Sequence, residues 1–356
     1  MNLTLSELLY QLRAATDPTT IFDLPSDADS NSLKRRYREL AAIAHPDHNP
    51  ACRNAADEAF KLLQEWYAVA QRQSAPNSPR PTIDITTKLH RYTSQATPLL
   101  GDLCDLFPTE ADGAQVLLKT VRHARNNDLL QTEAQTLRRI RRATEGQVVQ
   151  AHFPTLIEHC TLRDAAGDQR QINVLQNETA YVSLAAVVRA YPNGLELADA
   201  AWMFNRMLAA LGVIHSLGIV HGALTLDHVL IRPHDHNGML IDWCYSVPIG
   251  EPIKAVSPPH RADYPPEIFA KQPASAATDL YMAARCLLRL LGGAQSAADH
   301  GLVLPERVPK PLRNLLRGCL LPAPQRRMAD AWELFDDFQA LLQRLYGPRV
   351  FRPFTL

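Results

Sequence analysis

The sequence has no excess of either charge: lysine plus arginine and aspartate plus glutamate each number 37. Proteins that bind nucleic acid or anionic membranes through their overall charge carry a clear positive excess, so the balance argues against both partners. Long apolar runs are also lacking, and we expect no segment that spans a bilayer. The N-terminus has no basic leader followed by an apolar stretch and a cleavage site, so we expect no secretory signal.

Cysteine is scarce, and the six residues are scattered rather than placed in close pairs. This spacing fits neither zinc ligands nor a redox motif, and the histidines between residues 215 and 236 fit no zinc pattern either. We therefore predict no metal site. Buried, reduced thiols are typical of a reducing compartment, and we predict a cytoplasmic protein.

The length and apolar content are those of a globular protein with two domains, since 356 residues and 46% hydrophobic residues allow two cores. A stretch rich in proline and serine, QRQSAPNSPRPT at residues 71–82, is typical of a linker. Strand-like runs follow it, and long helical patterns come later, which favours an α+β domain. We predict a small domain at 1–72, a linker at 73–90, a larger domain at 91–346 and a tail at 347–356.

Two amphipathic helices joined by a short loop are predicted in the small domain. The first has one apolar face formed by Leu33, Tyr37, Leu40 and Ala44 at three- and four-residue steps. The second offers a complementary face, and the two can close as an antiparallel pair. The loop between them contains His45-Pro46-Asp47, where proline ends the first helix. The spacing of leucines in residues 3–16 predicts an additional helix at the start.

This segment resembles the J-domain, the module by which co-chaperones dock on DnaK-type chaperones and trigger their ATP hydrolysis. The resemblance covers about residues 21–70 and depends on the setting of the tripeptide, because three residues alone are a weak signal. It implies that His45, Pro46 and Asp47 form the activating tip. It also implies that a basic face comprising Lys34, Arg35, Arg36 and Arg38 meets an acidic surface on the chaperone, and it counts Tyr37 among the chaperone-binding residues. The family's fourth helix is missing. The competing interpretation is an ordinary helical hairpin with a solvated basic face.

The larger domain resembles a protein kinase through a series of landmarks in the right order. Lys119 lies in an aliphatic run and Glu133 in the following helical pattern, like the lysine–glutamate pair of kinases. Ile219-Val220-His221 opens the position of the catalytic loop, and Asp242 stands where the metal-binding D-F-G aspartate belongs. The resemblance implies a bilobal α+β fold. The residues to which it assigns structural roles are His221, Glu267, Asp279 and Arg327.

The departures from the kinase pattern concern the chemistry. Ala223 replaces the aspartate that accepts the substrate proton, and His228 replaces the asparagine that holds a second magnesium ion. Gly222 stands in place of the arginine, and the glycine-rich loop keeps only Gly101. Asp102 and Asp105 add negative charge near the expected phosphate position. The domain therefore resembles a pseudokinase, for which we predict no catalytic residue.

Nucleotide binding stays open at this stage. Lys119, Glu133, Asp242 and Gly101 are the candidate nucleotide-binding residues, with ATP and magnesium as the candidate ligands. Alternatively, Lys119 and Glu133 form an ion pair that braces the small lobe, and Asp242 caps a turn. No cofactor is required under that second interpretation.

These patterns together predict a multidomain protein, with an all-α J-domain hairpin followed by an α+β bilobal protein-kinase-like fold. The predicted function is that of a co-chaperone that stimulates a DnaK-type ATPase, while the kinase-like domain serves as a binding or targeting scaffold for an unknown client. It is not predicted to be an enzyme. The alternative is an atypical ATP-dependent kinase or transferase, or a nucleotide-sensing regulator, that carries a J-domain.

Overall fold

The computed structural model describes residues 3–15, 18–24, 30–73, 83–94, 98–163, 167–295, 302–348 and 350–356. The chain divides into two compact units. One comprises Met1–Pro81 and Val256–Ala262, and the other comprises Thr82–Ala255 and Asp263–Leu356. Residues 74–82 of the predicted linker lie outside the described residues.

The first unit is helical. Its helices are α1 (Leu5–Ala14), α2 (Pro18–Phe22), α3 (Ser30–Ala44) and α4 (Arg53–Gln73). The predicted pair corresponds to α3 and α4, whose apolar faces form one buried core. The rings of Tyr37 and Tyr67 stack across this pair, with centroids 4.0 Å apart. The periodic apolar positions of the sequence are therefore the buried ones.

Helix α1 is the predicted additional helix, and it belongs to the same core. Thr4 and Glu7 form a capping box that starts it, since each side chain accepts a hydrogen bond from the other residue's backbone N–H. Leu8 and Leu12 are fully buried against the other helices. The indole N–H of Trp66 donates to the carbonyl oxygen of Leu12 over 3.2 Å, which joins α4 to α1.

The second unit begins with an antiparallel sheet in the order β1-β2-β4-β5-β7-β6, with β3 paired to β4. These strands are β1 (Ile83–Thr86), β2 (Arg91–Ser94), β3 (Leu99–Leu100), β4 (Cys104–Ala111), β5 (Ala114–Val121), β6 (Leu156–Arg163) and β7 (Gln169–Gln176). Helix α5 (Asn127–Thr144) lies between β5 and β6 in the chain. Strand β1 falls inside the linker predicted at 73–90. Its four residues pair with β2 at the edge of the sheet.

The rest of this unit is mainly helical. Its helices are α6 (Leu184–Ala190), α7 (Leu197–Ser216), α8 (Pro266–Phe269), α9 (Ala276–Leu290), α10 (Lys310–Cys319) and α11 (Ala331–Tyr346). Its short strands are β8 (Val182–Ser183), β9 (Ile219–Val220), β10 (Val229–Arg232), β11 (Asn237–Leu240), β12 (Val247–Pro248), β13 (Ala294–Gln295) and β14 (Leu302–Val303). Strands β10 and β11 pair as an antiparallel hairpin. A sheet followed by helices is the predicted α+β arrangement.

Helix α7 corrects the expectation about apolar runs. It is long and apolar enough to cross a membrane by length and composition, and 72% of its most apolar 18-residue window is buried within the structure. Such burial is typical of a core helix in a globular domain, where a helix that is apolar all round is surrounded by protein. The expectation of no such run was wrong because this core helix carries few charges.

The C-terminal tail places one aromatic side chain in the second unit. Phe354 is buried, and its ring lies 5.8 Å from that of Tyr191 and 6.1 Å from that of Trp202. The Tyr191 hydroxyl donates to the carbonyl oxygen of Thr355 over 2.8 Å. Phe351 stays more than half exposed, although its ring lies 4.3 Å from that of His236.

Candidate functional sites

The loop that contains His45-Pro46-Asp47 is held by hydrogen bonds from Asp47 and Asn49. Helix α3 ends at Ala44, and Pro46–His48 forms a single 3₁₀ turn. The Asn49 amide donates to the carbonyl oxygens of Ile43 at 2.8 Å and His45 at 3.0 Å. The backbone N–H of Asp47 donates to Nδ1 of His45 over 3.2 Å. These bonds satisfy the end of α3 and fix the path of the loop.

The tip of this loop offers two polar side chains to solvent. The side chain of Asp47 is 78% exposed and that of His45 is 42% exposed. The His45 ring also lies edge-on against the ring of Phe60 at 5.4 Å, which limits its orientations. The tripeptide therefore presents a carboxylate and an imidazole to solvent.

The four basic residues predicted to form one face of α3 do not all lie on the same side of the helix. At about 100° per residue, Lys34, Arg35 and Arg38 share one side of the helix, and all three are exposed. We call these three the basic stripe. Arg36 lies on another side and pairs with Glu39 at 2.9 Å, while Tyr37 is half-buried against Tyr67. Among the described residues, no ion-pair partner is assigned to the stripe.

The second candidate site lies where the kinase resemblance places a nucleotide. The Lys119 ammonium is 2.7 Å from Glu133 Oε1, and both side chains are buried. The other Glu133 oxygen accepts a hydrogen bond of 2.8 Å from Asn173, which also donates to the Leu130 carbonyl. Strand β5 supplies the lysine, α5 the glutamate and β7 the asparagine, so the pair is braced from three elements.

Asp242 joins this cluster through a second ion pair with Lys119. Burial favours the neutral form of each group, but the opposite charges outweigh it. Burial lowers the pKa of Lys119, yet Asp242 and Glu133 hold it well above its usual value. Burial raises the pKa of Asp242, yet Lys119 and His228 hold it well below the usual range. Both groups are charged, and the Lys119 side chain is only 3% exposed.

His228 sits on the opposite side of the Asp242 carboxylate. Its Nε2 is 3.0 Å from Asp242 Oδ2 and 3.7 Å from Asp102 Oδ2. Its Nδ1 is 2.7 Å from the carbonyl oxygen of Ala223, and the ring of Tyr245 stacks on its face. The sequence indicated His228 only as a replacement for a magnesium ligand, because spacing along the chain does not show that His228 and Asp242 are neighbours.

The expected glycine-rich loop is a tight turn between β3 and β4. Gly101 donates its N–H to the Cys104 carbonyl over 3.0 Å, and a Cβ at Gly101 would lie 2.7 Å from that oxygen. The Arg122 guanidinium binds the carbonyl oxygens of Gly101 and Asp102 and the carboxylate of Asp105. Only glycine fits at position 101 of this turn. Arg122, which directly follows β5, links the turn to the end of that strand.

The segment at the catalytic-loop position is organised by Asp279 of α9. Its carboxylate accepts the backbone N–H groups of His221 at 2.8 Å and Gly222 at 2.9 Å. His215 Nε2 lies 3.0 Å from the same carboxylate. Gly222 has φ of +79°, and a Cβ there would lie 2.8 Å from the carbonyl oxygen of Tyr245. This backbone conformation is one that glycine adopts readily and other residues rarely do.

His221 and Ala223 are both fully buried in this segment. The His221 ring donates from Nε2 to the Ile241 carbonyl, since Nδ1 accepts the N–H of Ala223. This arrangement uses the neutral ring, and burial lowers the pKa of His221 to about 4. Ala223 offers a methyl group where kinases carry a carboxylate. Among the described residues, no group of three or more His, Cys, Asp or Glu is placed to hold a metal ion.

The comparisons with known proteins agree with the two units. The family model for the DnaJ domain matches residues 18–74. The chain is 41% identical over 49 residues to DnaJ homolog subfamily B member 3 of Homo sapiens, covering 14% of this chain and 34% of that protein. It is 39% identical over 57 residues to the chaperone protein DnaJ of Thermotoga petrophila, covering 16% and 15%. The chain thus spans about a third of the length of the first relative and about a seventh of the second.

Solved structures resemble the larger part of the chain in fold alone. Vaccinia related kinase 3 aligns with a TM-score of 0.56 and 15% identity, covering 78% of this chain and 96% of that one. The BubR1 kinase domain aligns with a TM-score of 0.56 and 14% identity, covering 79% and 92%. The chain therefore carries a DnaJ domain joined to a protein-kinase-like fold, as the sequence analysis predicted.

Proposed function

We propose that this protein is a co-chaperone that recruits a DnaK-type chaperone and stimulates its ATPase. The exposed His45-Pro46-Asp47 tip inside the matched DnaJ domain carries the proposal. A fixed, solvent-facing tip can dock without first ordering its backbone, which lowers the entropic cost of binding.

The basic stripe supports the same proposal. Lys34, Arg35 and Arg38 present three exposed cations on one side of α3. An acidic surface on the chaperone would be attracted to this stripe and would dock in a defined register. Arg36 is already paired with Glu39 and contributes less to such a contact.

The decisive experiment measures single-turnover ATP hydrolysis by a DnaK-type chaperone in the presence of the full chain. We expect His45→Gln to abolish stimulation, with unchanged hydrogen exchange in α3 and α4. The control is His123→Gln, the same change at an exposed position of the second unit. Stimulation that survives His45→Gln would refute the proposal.

For the kinase-like unit we propose the role of a binding or targeting scaffold with no required cofactor. Three observations support it: Ala223 has no side-chain oxygen, Gly222 replaces an arginine, and Lys119 is enclosed by two carboxylates. Phosphoryl transfer needs a positioned base and free positive charge at the phosphates. The scaffold would hold a client protein, and the cytoplasm is the proposed location.

A second function is favoured by one observation, the 2.7 Å Lys119–Glu133 pair. Kinases use this pair to orient nucleotide phosphates, so an ATP-binding sensor or transferase is the competing proposal. Thermal unfolding of the full chain with and without ATP and magnesium separates the two. A ligand present at a hundredfold its dissociation constant adds about 2.7 kcal/mol. A shift that Asp242→Ala removes favours the nucleotide site, and no shift at millimolar ATP favours the scaffold.

A further inference from the structure

The protonation state of His228 follows from its two contacts. Nδ1 faces the Ala223 carbonyl oxygen at 2.7 Å, and a carbonyl can only accept, so Nδ1 carries a proton. Nε2 faces Asp242 at 3.0 Å, and that carboxylate is ionised beside Lys119, so Nε2 carries a proton as well. The ring is therefore an imidazolium.

Asp242 thus has a protein cation at each of its oxygens. The Lys119 ammonium pairs with Oδ1, and the His228 imidazolium pairs with Oδ2. Kinase folds place a divalent ion at the corresponding aspartate. We propose that the His228 imidazolium stands in for that ion, so that this unit binds no magnesium and its groove is held together by protein cations alone.

The chemistry of the donor set supports this inference. Magnesium requires an octahedral shell of oxygen ligands and releases its waters reluctantly. Here the residue at the asparagine position contributes two N–H donors instead of an oxygen. A divalent ion at Asp242 would also stand within a few ångströms of two positive charges, whose repulsion is strong in a partly buried site.

Asp102 adds to the preference for an internal cation. Its carboxylate lies 3.7 Å from His228 Nε2, and its hydrogen bond from the Tyr245 hydroxyl measures 3.5 Å. Two carboxylates, Asp102 and Asp242, therefore flank the same imidazolium nitrogen. The turn between β3 and β4 supplies Asp102, so the histidine links this turn to the segment that carries Asp242.

The test uses Mn²⁺ alone with the full chain, measured by the loss of the free-ion signal in electron paramagnetic resonance. We expect wild type to bind no more Mn²⁺ than Asp242→Asn does. His228→Asn replaces the cation by a neutral side chain with a carbonyl oxygen, so binding should become at least roughly tenfold tighter. The gain in Mn²⁺ affinity should be absent in the double variant His228→Asn/Asp242→Asn.

Nitrogen NMR of the histidine rings in wild type provides a readout that needs no variant. At neutral pH we expect His228 to show two protonated nitrogens. Three outcomes would overturn the inference. The first is that wild type binds Mn²⁺ and that Asp242→Asn abolishes this binding, and the second is that folded His228→Asn binds Mn²⁺ no more tightly than wild type does. The third is that one ring nitrogen of His228 carries no proton at neutral pH. Because Mn²⁺ binding is measured without a chaperone, the result is independent of the proposed co-chaperone function.

Discussion

Arg327 and Glu267 lie 60 residues apart and meet through two hydrogen bonds, of 2.6 and 2.9 Å, with both side chains buried. The guanidinium also donates to the carbonyl oxygens of Leu321 and Pro322 and stacks over the ring of Tyr281. All three guanidinium nitrogens of Arg327 thus donate hydrogen bonds. The pair ties α8 to the segment before α11, which is a structural role and needs no catalytic activity.

Arg327→Met should destabilise the kinase-like unit by about 3–5 kcal/mol, because it leaves the Glu267 carboxylate buried without its partner. Denaturant unfolding followed by hydrogen exchange in α8 and α9 measures the loss. Arg317→Met on the exposed side of α10 is the control and should change stability by less than about 0.5 kcal/mol. Equal effects of the two changes would contradict the structural role.

Leu12→Ala should destabilise the helical unit by about 2–5 kcal/mol, because Leu12 is fully buried in its core. Faster hydrogen exchange in α4 would report the loss within the full chain. Tyr10→Ala lies on the exposed side of the same helix and should leave exchange in α4 unchanged. If neither change alters hydrogen exchange in α4, then α1 is not part of the core.

The stability of the kinase-like unit should fall below pH 6.5 because of His221. The unfolded ring binds a proton near pH 6.5, whereas the folded ring does so only near pH 4. The unfolded state therefore binds more protons between these values, and stability decreases by about 3 kcal/mol as the pH drops across them. Urea unfolding at pH 7 and pH 4.5 measures the free energy of unfolding, which should decrease less in His221→Gln than in wild type. A decrease of the same size in that variant would assign it to other groups.

Arg38→Glu should weaken stimulation of the chaperone by roughly tenfold at low salt, because it reverses a charge in the basic stripe. The deficit should shrink as salt rises, since the contact is exposed and screened. Arg36→Glu is the comparison on the same helix and should have a smaller effect. Titrating chaperone ATPase against each variant at two salt concentrations distinguishes them, and equal deficits would argue against the stripe.

The sequence alone predicted the helices and strands whose apolar residues recur at a regular spacing. Periodic leucines predicted α1, and the run around Lys119 predicted a strand that the structure has as β5. The edge strand β1 was assigned to the linker because its alternating pattern is only four residues long and directly follows the proline-rich stretch. Contacts across long separations were also missed, notably His228 with Asp242, because spacing along the chain carries no information about them. The four basic residues assigned to one face of α3 lie on two sides because consecutive residues of a helix point about 100° apart.

Gly222 limits what further substitutions could do to this fold. Its left-handed backbone and the nearby Tyr245 carbonyl leave no room for a Cβ. Arginine at this position would bring a Cβ within 2.8 Å of that oxygen, and aspartate at position 223 would put a carboxylate into a fully buried site. A side chain at position 222 and a charge at position 223 are therefore both opposed by the structure of this segment, the first by backbone geometry and the second by burial.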